Sequence, residues 1–157
     1  MNKYWKLVIS ILIPLAIGFL GSIFTTSAIS TWYVGLNKPI FNPPNWIFGP
    51  IWTLLYIMVG ISIYLVWTSK EKKKERRDKV FIAFGIQLFL NFLWSILFFG
   101  NQLISLALIE IILLWISIIV NIFLCYKISK KSAYLLLPYL LWVSFASVLN
   151  FTIWFLN

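Results

Sequence analysis

The side chains able to do chemistry in this 157-residue chain are few, and most are spaced for one face of a helix. Glu110 is the only acid inside an apolar run; the other three lie in the basic segment Lys70 to Lys79. Gln87, Asn91, Trp94 and Phe98 follow the i, i+4, i+7, i+11 spacing of one helix face, and Glu110, Leu114, Ser117 and Asn121 follow it too. Tyr139, Trp142, Ala146 and Asn150 form a third such face, and Trp52, Tyr56, Gly60 and Tyr64 step by four. Amides and carboxylates are costly in hydrocarbon, so in a membrane they turn towards the interior of a bundle. Faces that mix aromatic rings with a few amides are the make-up of a ligand pocket, mostly apolar with a few polar groups to fix orientation.

Other chemistry is excluded by what is missing. The chain has no histidine, the commonest general base and metal ligand, and its single cysteine, Cys125, allows no internal disulfide. No metal site and no hydrolytic constellation is expected, and no cofactor is required. Asn and Gln commonly join membrane helices through hydrogen bonds worth about 0.6–2 kcal/mol. Taken singly, Gln87, Asn91, Asn121 and Asn150 are expected to do that. Glu110 has two readings: a ligand contact, the default for an intramembrane carboxylate, or a group about two turns from the turn at Gly100 to Gln102, within reach of the outer headgroups.

The elements that must position these groups follow from composition. A chain that is 62% hydrophobic and 11% charged, with mean hydropathy +0.95, cannot bury its apolar surface in one small soluble core, so its solvent is lipid. Spans are predicted at about 5–27, 47–68, 80–99, 103–126 and 133–156, giving an all-α, single-domain bundle of five transmembrane helices with an outer loop over 28–46. The runs are continuously apolar, which excludes a strand-built barrel. A cleaved signal peptide is the rival reading of the first span, but its apolar run exceeds the usual h-region of about 7–15 residues.

The formal charge of +9 does not indicate nucleic acid, because the cations cluster between apolar blocks. Lys3, Lys6, the seven cations of Lys70 to Lys79, and Lys127, Lys130 and Lys131 fall on one side of the membrane, leaving only Lys38 opposite. Short basic loops stay cytoplasmic. The expectation is a multi-pass cell (inner) membrane protein, N-terminus inside and C-terminus outside. Trp5, Trp67 and Trp154 lie near span ends and read as interfacial belt residues, while Trp94, Trp115 and Trp142 lie deeper.

Across the junction of the first two spans, Trp32 to Tyr56 holds four of the six prolines and three of the nine tryptophans, where an ordinary loop would be polar. Proline fixes φ at about −65° and restricts the residue before it, so Lys38-Pro39 and Asn42-Pro43-Pro44 should hold an ordered loop without helix or sheet. Such a backbone is expected to aim Trp46 and Trp52 inward.

The order Trp32-Tyr33, Leu36, Lys38-Pro39, Pro43-Pro44, Trp46, Gly49-Pro50, Trp52 and Leu55-Tyr56, then Gln87-Leu88, Asn91, Trp94 and Phe98-Phe99-Gly100, then Pro138-Tyr139, Trp142, Phe145-Ala146 and Leu149-Asn150, resembles the translocator protein family. Its members are also called tryptophan-rich sensory proteins or peripheral-type benzodiazepine receptors, and the resemblance runs from about Gly18 to Trp154. It implies a five-helix bundle, often a homodimer, with a pocket beneath the first loop for porphyrins such as protoporphyrin IX and for hydrophobic drug-like molecules. It further implies light-dependent oxidative breakdown of porphyrin in some bacterial members, with Trp52 and Trp142 at the matching positions. The ligand contacts expected on this basis are Trp46, Phe48, Trp52, Tyr56, Asn91, Trp94, Glu110, Trp142, Ala146 and Leu149, under a lid of Trp32, Tyr33, Lys38, Pro39, Pro43 and Pro44.

Cholesterol, bound by animal members, is not expected: Phe151 stands where that motif has Tyr, and no basic residue follows Lys131. Iron porphyrin would lack a histidine ligand, so metal-free porphyrin held by ring stacking fits better, as ligand or substrate. Lys38 either neutralises a propionate at the outer mouth or anchors the loop. The alternatives to a receptor are a porphyrin or lipid transporter and a stress sensor acting through a partner.

Overall fold

A computed structural model describes all residues from Met1 to Asn157. The chain forms five long apolar helical segments, each long enough to cross a membrane. α1 runs Lys3–Ile29 and α2 Asn45–Trp67, with one 3₁₀ turn at Tyr33–Gly35 between them. α3, Lys74–Ser95, passes into a π-helical turn at Ile96–Gly100. α4 is Ile104–Tyr126, and the fifth span is divided into α5, Lys130–Leu135, and α6, Leu137–Leu156. The division has a local cause, since Pro138 in the first turn of α6 lacks an N–H to continue the hydrogen-bond ladder from α5.

Around the bundle, α1 lies against α2 and α3, α3 against α4, and α4 against α5 and α6, while α2 meets the fifth span closely at α5 and hardly along α6. The ring is therefore tight at the cationic end and splayed between α2 and α6 at the end beneath the first loop. At the tight end Ser62 and Ser132 exchange hydrogen bonds through hydroxyls and carbonyls, at 2.7 to 3.0 Å. Gly60 is required where α2 crosses α1: a Cβ there would stand 2.6 Å from the Ile11 Cα and 2.7 Å from the Ser10 carbonyl oxygen. Small residues let membrane helices approach this closely.

Apolar side chains left outside the core, such as Phe19, Phe89, Ile109, Phe123 and Leu141, are all more than 60% exposed, the surface expected when the surrounding medium is lipid. The polar residues inside the spans turn inward. Gln87, Asn91, Glu110, Asn121 and Asn150 are all buried. The stripe on α2 is placed differently from the other three: Leu55, Val59, Ser62 and Val66 face the core, whereas Tyr56 and Gly60 pack against α1.

An aromatic pocket beneath the first loop

The splay between α2 and α6 is filled by rings. Trp52 stacks on Tyr56 with centroids 5.7 Å apart, and meets Tyr139 at 6.1 Å and Trp142 at 6.5 Å edge-on. Phe48, one turn before Trp52, meets Trp142 at 6.1 Å, and Trp94 stacks on Phe98 at 5.2 Å. These are the offset and edge-to-face arrangements that aromatic quadrupoles favour. Two spaces adjoin this cluster. The inner one holds only about 20 Å³ and is lined by Tyr33, Trp142, Ala146, Leu149 and Asn150 among others. The outer one is a crevice of about 460 Å³ between α1, α2 and α3. Phe48, Trp52, Trp94 and Phe99 line both and form the wall between them.

The crevice is within the size range of small-molecule pockets, about 300–1,000 Å³. Its α1 side is supplied by Gly18, Phe19, Ser22, Thr25 and Thr26, and it is open at the rim, where Phe19 is 70% exposed. Gly18 is needed because the Tyr56 ring occupies the place of its absent side chain. On the opposite side Asn45, Gly49 and Thr53 project from the first turns of α2.

Hydrogen bonds fix the cluster from behind. Asn91 accepts from the Tyr56 hydroxyl at 2.6 Å and donates to the Tyr139 hydroxyl at 2.6 Å, so one amide joins α2, α3 and α6. Asn150 accepts from the Trp94 indole N–H at 3.1 Å and donates to the Ile104 carbonyl at 3.1 Å, joining α3, α4 and α6. Asn121 donates to Gln87 at 3.0 Å, deeper in the bundle. These four amides join helices as the spacing predicts. The Trp142 indole N–H is buried with no partner in the protein, a donor at the inner space.

The loop closes the top. Tyr33 is buried under it, donates to Asn42 at 2.7 Å and packs against Phe98 and Phe99. Burial pushes the Tyr33 phenol up to about 12, against the opposing pull of the Asn42 hydrogen bond. Asn37 exchanges backbone bonds with the Asn157 side chain at 3.0 and 2.9 Å, fastening the loop to the end of α6.

Of the residues expected at the site, Phe48, Trp52, Tyr56, Trp94, Trp142, Ala146 and Leu149 line one space or both, and of the lid residues Tyr33 does. Trp46 does not: it is 72% exposed and points away from the cluster, because on a helix two residues of separation from Phe48 place it about 200° around the axis. Asn91 stands behind the wall, its amide occupied by two phenols. Glu110 is buried on α4 with neither carboxylate oxygen bonded, and it lines neither space. Lys38 is turned into its own loop, donating to the carbonyls of Tyr33, Leu36 and Val34 at 2.7, 3.1 and 3.3 Å, with its ammonium 4.9 Å from the Tyr33 ring. That is the loop anchor of its two readings. Trp32 packs on Phe98, and Pro39, Pro43 and Pro44 shape the loop without lining a space. Trp115 lies at the middle of α4, deep along the span as expected, but on its outer face, 37% exposed and donating to Ser144 at 2.8 Å. Thr26, Asn45, Thr53 and Ser95 are cavity residues that helical spacing did not single out, because polar residues near span ends resemble ordinary interfacial ones.

The TspO/MBR family model matches residues 10–155. The chain belongs to the TspO/MBR family. It is 54% identical over 152 residues to the tryptophan-rich protein TspO of Archaeoglobus fulgidus, covering 97% of each chain. It is 35% identical over 136 residues to the translocator protein of Homo sapiens, covering 87% of this chain and 80% of that one. With the tryptophan-rich sensory protein of Cereibacter sphaeroides it shares 30% identity over 160 residues, covering 100% and 95%. Family membership and five apolar helices make this TspO/MBR protein a multi-pass membrane protein.

Proposed function

We propose that the chain is a membrane receptor for a flat, hydrophobic aromatic ligand of the tetrapyrrole type, protoporphyrin IX above all, and that in light it promotes oxidative loss of that ligand. The observation that carries the reading is the shared wall: Phe48, Trp52, Trp94 and Phe99 present ring faces and edges to a crevice of about 460 Å³. A large π-system laid against such a wall gains offset stacking, about 0.5–1.5 kcal/mol per pair beyond area burial. The hydroxyls of Thr25, Thr26 and Ser95 line the same crevice and suit the polar edge of a ligand whose body is apolar. The protein is oriented with its N-terminus in the cytoplasm, following its cations.

No histidine, metal-binding cluster or acid–base pair meets the crevice. The chemistry open to it is electron exchange between an excited porphyrin and neighbouring indoles, with dioxygen as the oxidant. Trp52 lines the crevice, and Trp142 touches Trp52 from behind it. Replacing both, Trp52→Phe with Trp142→Phe, keeps apolar rings and removes the two indoles assigned the redox role, while Trp94 stays in the wall as an internal control. The double variant is expected to bind protoporphyrin in the dark within a few-fold of the parent, and to lose light-dependent porphyrin bleaching followed by absorbance. Bleaching at the parental rate would refute the redox role while leaving the receptor reading intact.

A further inference from the structure

At the cationic end of the bundle α3 begins beside the place where α4 ends. Arg76 and Lys79, three residues apart on one face of α3, and Lys127, directly after α4, line one notch of about 220 Å³ with a floor of Leu124 and Ile128. No carboxylate lines it. Glu71 lies 3.4 Å from Arg76 and Glu75 lies 2.7 Å from Lys79, but the cations are 52% and 62% exposed. Such surface pairs contribute little and exchange readily for another anion. Lys127 has no acidic partner.

Away from the charges the surface turns apolar at once. Val120, one turn deeper than Leu124 on α4, and Ile86, two turns deeper than Lys79 on α3, are 48% and 51% exposed. A topology signal needs cations only on the correct side of the membrane. It does not need three of them, from two helices, converging on one notch above an apolar seam.

We propose that this notch binds an anionic glycerophospholipid, its phosphate among Arg76, Lys79 and Lys127 and an acyl chain along Leu124, Val120 and Ile86. The long basic side chains lay their methylenes on the apolar seam and carry their charge to headgroup level, as such residues do at membrane interfaces. Lys72, Lys73 and Lys74 lie close by in sequence but line no part of the notch, which supplies a control of equal charge.

The test uses the full chain in nonionic detergent, with phosphatidylglycerol or phosphatidylcholine added and bound lipid counted by native mass spectrometry. Phosphatidylglycerol is expected to be retained over phosphatidylcholine, and Lys127→Gln alone should weaken retention about fivefold. The combination R76Q/K79Q/K127Q should abolish the preference, whereas K72Q/K73Q/K74Q should keep it. Equal retention of the two lipids, or equal loss in the two triple variants, would overturn the proposal. So would displacement of phosphatidylglycerol by millimolar inorganic phosphate, which would make the notch a simple anion site. Should the notch triple variant fail to fold, the single K127Q variant decides, since an unchanged preference there contradicts the assignment.

Discussion

Asn91 shows what a single buried amide does in this bundle. It satisfies two phenols from two other helices, and in hydrocarbon none of the three groups has water to turn to. Replacing it with leucine keeps the volume roughly and leaves the Tyr56 hydroxyl without its acceptor, a loss of about 1–3 kcal/mol. Asn91→Leu is therefore expected to lower the thermal midpoint in detergent and to loosen the stacking of Tyr56 on Trp52, which tryptophan fluorescence reads directly. An unchanged midpoint would mean that the amide is dispensable. Helical spacing made the inward turn of Asn91, Asn121 and Asn150 legible, because polarity alone decides which way such a residue faces in lipid. It could not tell which inward residue meets the cavity and which stands behind it. Glu110 and Asn91 both read as pocket residues, yet one is sealed on α4 and the other is occupied by its neighbours. Face is a property of one helix, whereas pocket lining depends on how several helices splay.

The loop from Ser30 to Pro44 is held at several points by side chains. Lys38 ties three of its carbonyls, Tyr33 and Asn42 bond beneath it, and Asn37 fastens it to Asn157. Pro43 and Pro44 limit the freedom of the stretch that leads into α2 and so set where Phe48 and Trp52 start. Changing both to alanine adds chain entropy of about 0.4–1 kcal/mol per residue to the unfolded loop. The P43A/P44A variant is expected to insert in membranes normally and to bind protoporphyrin several-fold more weakly in a dialysis assay; equal affinity would reduce the loop to a connection. The prolines made an ordered loop legible, but the backbone role of Lys38 was one of two readings, since only three-dimensional proximity shows which carbonyls a long side chain reaches. Two other features left no periodic trace: the π turn at Ile96–Gly100, and the break at Leu136 that separates α5 from α6. The π turn lies in a run of uniform hydropathy, where a change of helical pitch alters no pattern, whereas the break at Leu136 has its signal in Pro138 and not in periodicity.

Over the whole molecule, number and type of span were the most legible features, because bilayer thickness fixes helix length and composition fixes the solvent. The expected boundaries differ from the observed ones by a few residues, most at the start of the third span, where Lys74 to Lys79 is helical despite its charge. Orientation rests on cations alone, so a periplasmically active reporter fused after Asn157 is expected to function and a cytoplasmically active one is not; the reverse pattern would invert the topology and place the first loop inside. Filling the crevice between α1, α2 and α3 decides whether it is the ligand site. A Cβ added at Gly49 meets no atom within 4 Å, and Gly49 lines the crevice on an exposed stretch of α2; Gly49→Trp is expected to fold, which its thermal midpoint in detergent checks. Equilibrium dialysis of protoporphyrin IX in the dark is the measurement. Saturable binding by the parent and a loss of at least tenfold in the folded Gly49→Trp protein is the predicted result, and equal affinity of the two would contradict it.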